Sequence, residues 1–241
     1  MVKWDMEDPG SQRIGGQGKP RVAVGDTGVA GQKIGEAGGF ISANVICSVS
    51  GKVKAIEPRR VANGAMVTSI VVENDGEYRT VEGVGEDRDP SKLSKEEIRN
   101  IIKEAGIVGL GGAGFPTHVK LTPKDDNAID YILVNGAECE PYLTSDYRMM
   151  IEEPEKIVGG LKVILQLFDK AKGVIAIENN QPEAIAKLTA LVKDEPRIIV
   201  CPLLTKYPQG GERSITSART SLKTMSSLQP AAQRRVVVHL S

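Results

Sequence analysis

From residue 21 to about residue 86 the apolar positions come in short β-branched runs broken by glycine: RVAV, VAGQKI, SVSGKVKAI and MVTSIVVENDG. Short runs with turn residues between them predict a small all-β barrel or sandwich. In SKLSKEEIRNIIKEAGI, Ile98, Ile101, Ile102 and Ala105 recur at the spacing of one helix face, and Ser94 with Glu97 has the spacing of a capping box. An amphipathic helix is expected there, with Gly106 placed to end it. Beyond the loop GIVGLGGAGFP the pattern alternates: a strand at 131–134, a helix at about 155–170, a strand at 174–177, a helix at 182–193 and a strand at 197–201. Alternation of this kind predicts a parallel sheet with helices packed on it.

The expected fold class is therefore α/β, a parallel sheet flanked by helices, preceded by a small all-β domain. Residues 1–20 are polar and glycine-rich without apolar periodicity and are expected to be a poorly ordered lead-in. The β-rich domain is expected over 21–88 and an incomplete α/β domain over 89–213. Residues 214–241 contain no Asp, Glu or Gly and many Ser, Thr and Arg, so the α/β rhythm is not expected to continue into them. Two readings of this tail stand side by side, a disordered basic extension and translation in an altered reading frame.

Charge excludes one class of function. Lys plus Arg number 31, as do Asp plus Glu, so no net field draws the chain to a nucleic-acid backbone or an anionic bilayer. No stretch reaches the roughly 20 apolar residues that span a bilayer, and the opening MVKWDMEDPG lacks the apolar core of a signal peptide. A soluble, intracellular chain is expected. Cys47, Cys139 and Cys201 are odd in number and far apart, which fits neither a disulfide framework nor a metal-ligand spacing. Only His118 and His239 are available for chemistry that needs an imidazole base.

Candidate chemistry gathers in two segments. Gly109, Gly111, Gly112 and Gly114 fit G-x-G-x-x-G, but a helix rather than a strand leads into them, which argues against an ordinary dinucleotide fingerprint. Glycines without Cβ atoms still let backbone N–H groups approach a phosphate or planar ring; a flexible connector is the plainer alternative. Lys120 follows an expected helix start and would face an anion there. After the 131–134 strand, Asn135, Glu138 and Glu140 crowd into NGAECEP, at the carboxyl end where ligands of open parallel sheets bind. Their carboxylates would accept hydrogen bonds from ribose hydroxyls or a flavin ring N–H, the alternative being a solvated acidic turn. Glu178, Asn179 and Asn180, and then KYPQGGER at 206–213, follow the next two strands, so three loops are expected to converge. Cys139, between two carboxylates, is expected to be an inert thiol. The glycine turn and the carboxylates are expected to wall one flavin-sized cleft.

These motifs carry two resemblances. VAVGDTGVAGQKIGEA with VICSVSGKVKAI resembles the folded half of lipoyl and biotinyl carrier domains, a barrel-sandwich hybrid, in which a Lys at the hairpin tip takes the prosthetic group. No Lys lies between Glu36 and Lys52, so a structural or docking domain is expected. The ordered set AGIVGLGGAGFPTHVK, YILVNGAECEPYLTSDYRMM, IENNQPEAI and KYPQGGER, with the β-rich part, resembles the RnfC family of the Rnf electron-transport complex over about 11–213. The first two blocks also resemble the FMN- and NADH-binding subunit of respiratory complex I.

The resemblance implies an FMN- and NAD(H)-binding part of an NADH:ferredoxin-type oxidoreductase, an electron-transport flavoprotein subunit held at the inner face of the cell membrane by partner subunits. Gly109, Gly111, Gly112 and Gly114 would line the flavin, and Lys120 would hold its phosphate or ribityl end. Asn135, Glu138 and Asp146 would contact ring and polyol, Phe115 would stack on the nicotinamide, and Glu140 would lie near the NADH ribose. Gly210, Gly211 and Glu212 match the loop under the flavin, while Ala137 stands where the complex I subunit has Asp. The family continues into a module carrying two 4Fe-4S clusters, whose cysteines this chain lacks, so a truncated piece is expected, with weak or absent FMN binding and no physiological electron transfer. Two other functions stay open: a non-enzymatic docking module and a simple NAD-dependent dehydrogenase.

Overall fold

The computed structural model describes residues 5–9, 16–61, 63–109, 114–211, 214–215 and 234–239. They fall into two compact units, Met1–Val119 and Lys120–Ser241.

In the first unit, β1 (Asp5–Pro9), β2 (Lys19–Pro20), β3 (Thr27–Gly28), β4 (Lys33–Glu36), β5 (Val45–Ile46), β6 (Gly51–Arg60) and β7 (Met66–Asn74) make two antiparallel sheets. Their orders are β1-β7-β6-β3 and β2-β4-β5. Both sheets bury apolar side chains in one core of Ile34, Val45, Cys47, Val49, Val53, Ile70 and Val72. Lys52 and Lys54 on β6 stay exposed between and beside buried Gly51 and Val53, the alternation expected of a half-buried strand. The β-rich part expected from the sequence is thus present. One element was not foreseen, since Asp5–Pro9 lies in the stretch expected to be unstructured yet pairs along β7. Its sequence DMEDP buries only Asp8 fully, so ladder bonds rather than an apolar stripe hold it, and periodicity cannot reveal such a strand.

Helix α1 (Lys95–Glu104) carries the expected cap: Glu97 N–H donates to Ser94 Oγ at 3.2 Å and Ser94 N–H to Glu97 Oε2 at 2.8 Å. It ends in a Schellman turn, with Ile107 N–H donating to the Ile102 carbonyl and Gly106 N–H to that of Lys103. Gly106 sits at φ +66°, and a Cβ there would lie 2.6 Å from the Asn44 carbonyl oxygen. Asn44 Nδ2 donates to the Lys103 and Glu104 carbonyls, and Lys33 Nζ meets Glu104 Oε2 at 2.7 Å. The end of α1 is therefore fastened to the β4–β5 hairpin.

Leaving the first unit, α2 spans Thr117–Lys120. The second unit contains β8 (Ile129–Gly136), α3 (Ser145–Glu152), α4 (Pro154–Leu165), β9 (Lys172–Glu178), α5 (Pro182–Leu191), β10 (Ile198–Leu203) and β11 (Arg234–His239). The sheet order is β10-β9-β8-β11, parallel throughout. Strands β8 and β9 are buried almost end to end, as a sheet covered on both faces requires. One face packs Tyr131, Leu133, Val174, Ala176, Cys201 and Leu203 together. The other face carries Gly173, where a Cβ would come within 2.8 Å of Leu161, so α4 covers this side.

The expected parallel α/β layer is present, with three differences. Helix α4 stops at Leu165 although buried Leu167 and Phe168 prolong its apolar pattern. The Arg197 guanidinium instead takes the Leu165, Phe168 and Ala171 carbonyls at 3.2, 2.6 and 2.8 Å, satisfying a chain that has left the helix. Helix α3 was not expected, because it follows a loop and buries only Met150 fully. Finally, Arg234–His239 does add a strand beside β8, where the tail was expected to contribute none. Its three consecutive valines are β-branched and suit an extended strand, a local signal outweighed in the sequence by the polar stretch around it.

Candidate functional site

The carboxyl ends of β8, β9 and β10 point their following loops toward one edge, and polar side chains tie those loops together. Asn135, 3% exposed, donates from Nδ2 to the Gly210 carbonyl at 2.8 Å while its Oδ1 accepts from Ala137 N–H at 3.2 Å. A Cβ on Gly210 would lie 2.6 Å from the Ala137 carbonyl oxygen, so only glycine allows this approach. The loops after β9 and β10 are joined in the same way. Thr205 donates from N–H and Oγ1 to Asn179 Oδ1 at 3.1 and 2.8 Å, and Lys206 N–H donates to Glu178 Oε1 at 3.3 Å. The expected convergence of three loops is therefore observed.

Glu178 is 1% exposed. Burial pushes its carboxyl above the ordinary value, the Lys206 N–H partly offsets this, and the charge of Glu140 adds to the rise. Glu140 itself is exposed. Buried Gln181 and Gln209 each have a side-chain oxygen without a hydrogen-bond partner among the described residues. Sequence reasoning did not single out either glutamine, and the available signal was their position inside IENNQPEAI and KYPQGGER.

Glu138 is spent on structure. Helix α3 has no side-chain cap of its own from Thr144. Glu138 Oε1 accepts from Asp146 N–H at 3.1 Å and Ser145 Oγ at 3.3 Å, and Oε2 accepts from Tyr147 N–H at 3.3 Å. A carboxylate there meets the orphan donors and the positive end of the helix. Asp146, expected at the polyol, is thereby held by its backbone in the first turn of α3. The Cys201 thiol is pushed up to about 11 by burial.

The glycine turn belongs to the first unit and the carboxylates to the second. Residues 110–113, with Gly111 and Gly112, and residue Glu212 lie outside the described residues. The stem of the turn is defined: Val108 bridges Pro116, Gly109 N–H donates to the Phe115 carbonyl at 3.0 Å, and Thr117 N–H to that of Ile107 at 3.0 Å. Gly114 sits at φ +60°, a conformation that favours glycine. A helix leads in, as read from the sequence, so the ordinary strand–turn–helix fingerprint is not formed. Lys120 differs from expectation, since α2 has four residues and Lys120 is its last, at the end opposite the N–H groups. His118, in the same short helix, is buried, and burial holds its imidazole below the ordinary value. Its Nε2 lies 3.2 Å from the Phe40 carbonyl, an acceptor only, so Nε2 carries the hydrogen.

Residues 102–239 match the family model described as the Nuo51 FMN-binding domain, and residues 5–77 match the RnfC barrel sandwich hybrid domain. Over 238 residues the chain is 42% identical to the C subunit of the Na(+)-translocating ferredoxin:NAD(+) oxidoreductase complex of Acetobacterium woodii, covering 96% of this chain and 52% of that protein. It is 41% identical over 229 residues to the C subunit of the proton-translocating ferredoxin:NAD(+) oxidoreductase complex of Clostridium ljungdahlii, covering 95% and 50%. The chain thus spans about half the length of these relatives. A solved NAD+-reducing NiFe-hydrogenase aligns with 61% of this chain at 20% identity and a TM-score of 0.48.

Proposed function

Because the chain belongs to the family of the Nuo51 FMN-binding domain, with an RnfC barrel sandwich hybrid domain ahead of it, we propose that it holds FMN and admits NADH within an electron-transport oxidoreductase subunit. The observation that carries this reading is the closure of Asn135 on Gly210 across Ala137, at the edge where open α/β sheets bind ligands. Buried, unpartnered amide oxygens on Gln181 and Gln209 add acceptor capacity among the described residues, which suits the hydroxyls of a ribityl chain. The residues present therefore fit FMN.

Each residue then has a task. The turn that carries Gly109, Gly111, Gly112 and Gly114 receives the flavin, with the Gly109 N–H itself spent on the Phe115 carbonyl, and Lys120 neutralises its phosphate as a side-chain charge rather than through a helix terminus. Asn135 and Glu138 act by fixing the loops; Gly210, Gly211 and Glu212 form the floor; Asp146 faces the polyol. Glu140, exposed, accepts from the NADH ribose, and Phe115 stacks on the nicotinamide. Bound FMN supplies the ring that accepts hydride, which is cofactor chemistry that needs no histidine base. The three cysteines do not suit an iron-sulfur cluster: Cys47 and Cys201 are buried, and no group of metal-ligating side chains is gathered among the described residues. Clusters belong, on this reading, to the remainder of a longer subunit.

The relatives are named as subunits of ion-translocating complexes, and by the same proposal partner subunits bring this chain to a membrane. No helix of the described residues is long and apolar enough to cross one. Titration of FMN with the purified chain tests the reading: weak but saturable quenching of flavin fluorescence is expected, reduced about a further tenfold in Gly210→Ala, whose new methyl pushes the loops apart. Unquenched flavin would remove the proposal, and NADH binding without any FMN binding would favour a simple dehydrogenase.

A further inference from the structure

Strand β1 stands apart in the first unit for its acids. Its residues DMEDP include Asp5, Glu7 and Asp8, and it lies at the edge of its sheet, laddered to β7. Asp5 and Glu7 are exposed, where Lys54 Nζ meets Asp5 Oδ2 at 2.8 Å and Arg59 Nη1 meets Glu7 Oε1 at 3.3 Å. Exposed pairs of this kind hold a strand weakly.

Asp8 is placed differently. It is 6% exposed and stands opposite Ile70 in the ladder. Ser48, just past β5, donates its hydroxyl to Asp8 Oδ1 at 3.2 Å and its N–H to the same carboxyl. Asp8 Oδ2 is buried with no hydrogen-bond partner among the described residues. The groups packed around it supply no counter-charge. From β7 its ladder neighbours are Ser69, Ile70 and Val71, while Lys54 and Arg59 of β6 go to Asp5 and Glu7. From the end of β5 come Ser48 and Cys47, whose thiol burial pushes up and the charge of Asp8 raises further. A neutral carboxyl suits such a place, whereas a carboxylate would be a buried charge with one oxygen unsatisfied.

We propose that β1 is a proton-operated strap: with Asp8 neutral it lies docked on β7 and the end of β5, and ionisation of Asp8 loosens it. Burial, the larger influence, raises the carboxyl of the docked strand above its ordinary 3.8, and the two Ser48 bonds oppose the rise. Loosened, the strand returns its carboxylate to water. Docking is therefore full below 3.8, weakens as pH rises through the docked value, and levels off beyond it. Loosening uncovers the β7 edge at Ile70, Val71 and Val72, whose backbone groups are then free to pair with another strand.

Amide hydrogen exchange of the 241-residue chain, read by mass spectrometry and corrected at each pH for the rate of an unstructured chain, tests this. The range is about pH 4.5 to about pH 7.5, in about 1 M salt, which screens the exposed pairs of Asp5 and Glu7 and leaves the buried carboxyl in control. Protection of residues 5–9 is expected to fall about three- to tenfold across this range in the wild type and to stay level in Asp8→Asn. Ser48→Ala, which removes the hydroxyl that favours the carboxylate, should deepen the fall and extend it to higher pH. Protection of β6 should hold in all three proteins. A level course in the wild type overturns the proposal, as does the same fall in Asp8→Asn. Where Asp8→Asn leaves residues 5–9 unprotected at every pH, Ser48→Ala decides: a course matching the wild type overturns the proposal, and a deeper fall upholds it. Equal loss across β6 also overturns it, because the whole sheet rather than the strap would then be opening.

Discussion

The two units hold their loops by opposite means. In the first, β2, β3 and β5 are two residues long beside the long β6–β7 ladder, and side chains serve the turns between them. Asp75 illustrates this: it accepts from Ser50 Oγ at 2.6 Å, Arg79 Nη2 at 2.6 Å and Glu77 N–H at 2.9 Å, and these bonds hold its carboxyl down at about 2. In the second unit the long parallel strands pair with one another, and buried polar side chains such as Asn135 and Glu178 sit at their carboxyl ends. Polar groups spread across the first unit build its shape. Gathered at one edge of the second, they tie the strand-end loops together.

That contrast can be broken most severely at Gly51. A Cβ there would lie 2.0 Å from the Glu73 carbonyl oxygen, a backbone atom that cannot step aside without disrupting the β6–β7 ladder. Gly51→Ala should cost about 4 kcal/mol or more, the range of the most damaging single changes. Hydrogen exchange read peptide by peptide should show β6 and β7 losing protection while β8 and β9 keep theirs. Loss of protection in both sets would mean that the two units fold as one.

A smaller effect is expected where a side chain does serve the second unit's frame. Arg197→Ala leaves the Leu165, Phe168 and Ala171 carbonyls without their charged donor and should cost about 2 to 3 kcal/mol in urea unfolding. Arg197→Lys should recover only part of this, because one ammonium cannot reproduce the forked geometry. Full recovery would show that charge alone matters.

The smallest effect sharpens the reading of the strand ends. Burial raises the Glu178 carboxyl above its ordinary 4.5, so the folded state binds the proton more tightly than the unfolded chain. Stability is therefore lost as pH rises from about 4.5 through the folded value, and is regained on acidification. Glu178→Gln keeps an acceptor for Lys206 N–H without this loss. Melting midpoints of the two proteins should agree near pH 4 and separate at neutral pH with the glutamine variant higher, by about 1 kcal/mol for a single buried polar group. Parallel curves would show that Glu178 carries no buried charge.

Legibility from sequence followed the same division. Ser94, Glu97 and Gly106 announced α1 because capping and a positive φ are local requirements, and the apolar runs of β8 and β9 announced strands because both faces must be buried. Asp5–Pro9 and Arg234–His239 were missed, since an edge strand is held by its neighbour's ladder and needs no stripe of its own. At the strand ends, the approach of the Asn135 and Gly210 loops was legible from their motifs. Glu138 was legible only as a carboxylate, because nothing near it in sequence shows that α3 lacks a cap of its own.

The amino-acid sequence by itself determined the order of the elements, the class of each half and the residues that crowd the strand ends, because periodicity, caps and turn residues act over a few neighbouring positions. Only the tertiary structure decided which groups remain free to meet a ligand. Glu138 is consumed by a helix end, Glu140 is left exposed, and Phe40 is brought beside His118 from 78 residues away. Those outcomes depend on hydrogen bonds and close approaches between segments remote in the chain, and a local pattern carries no information about such distances.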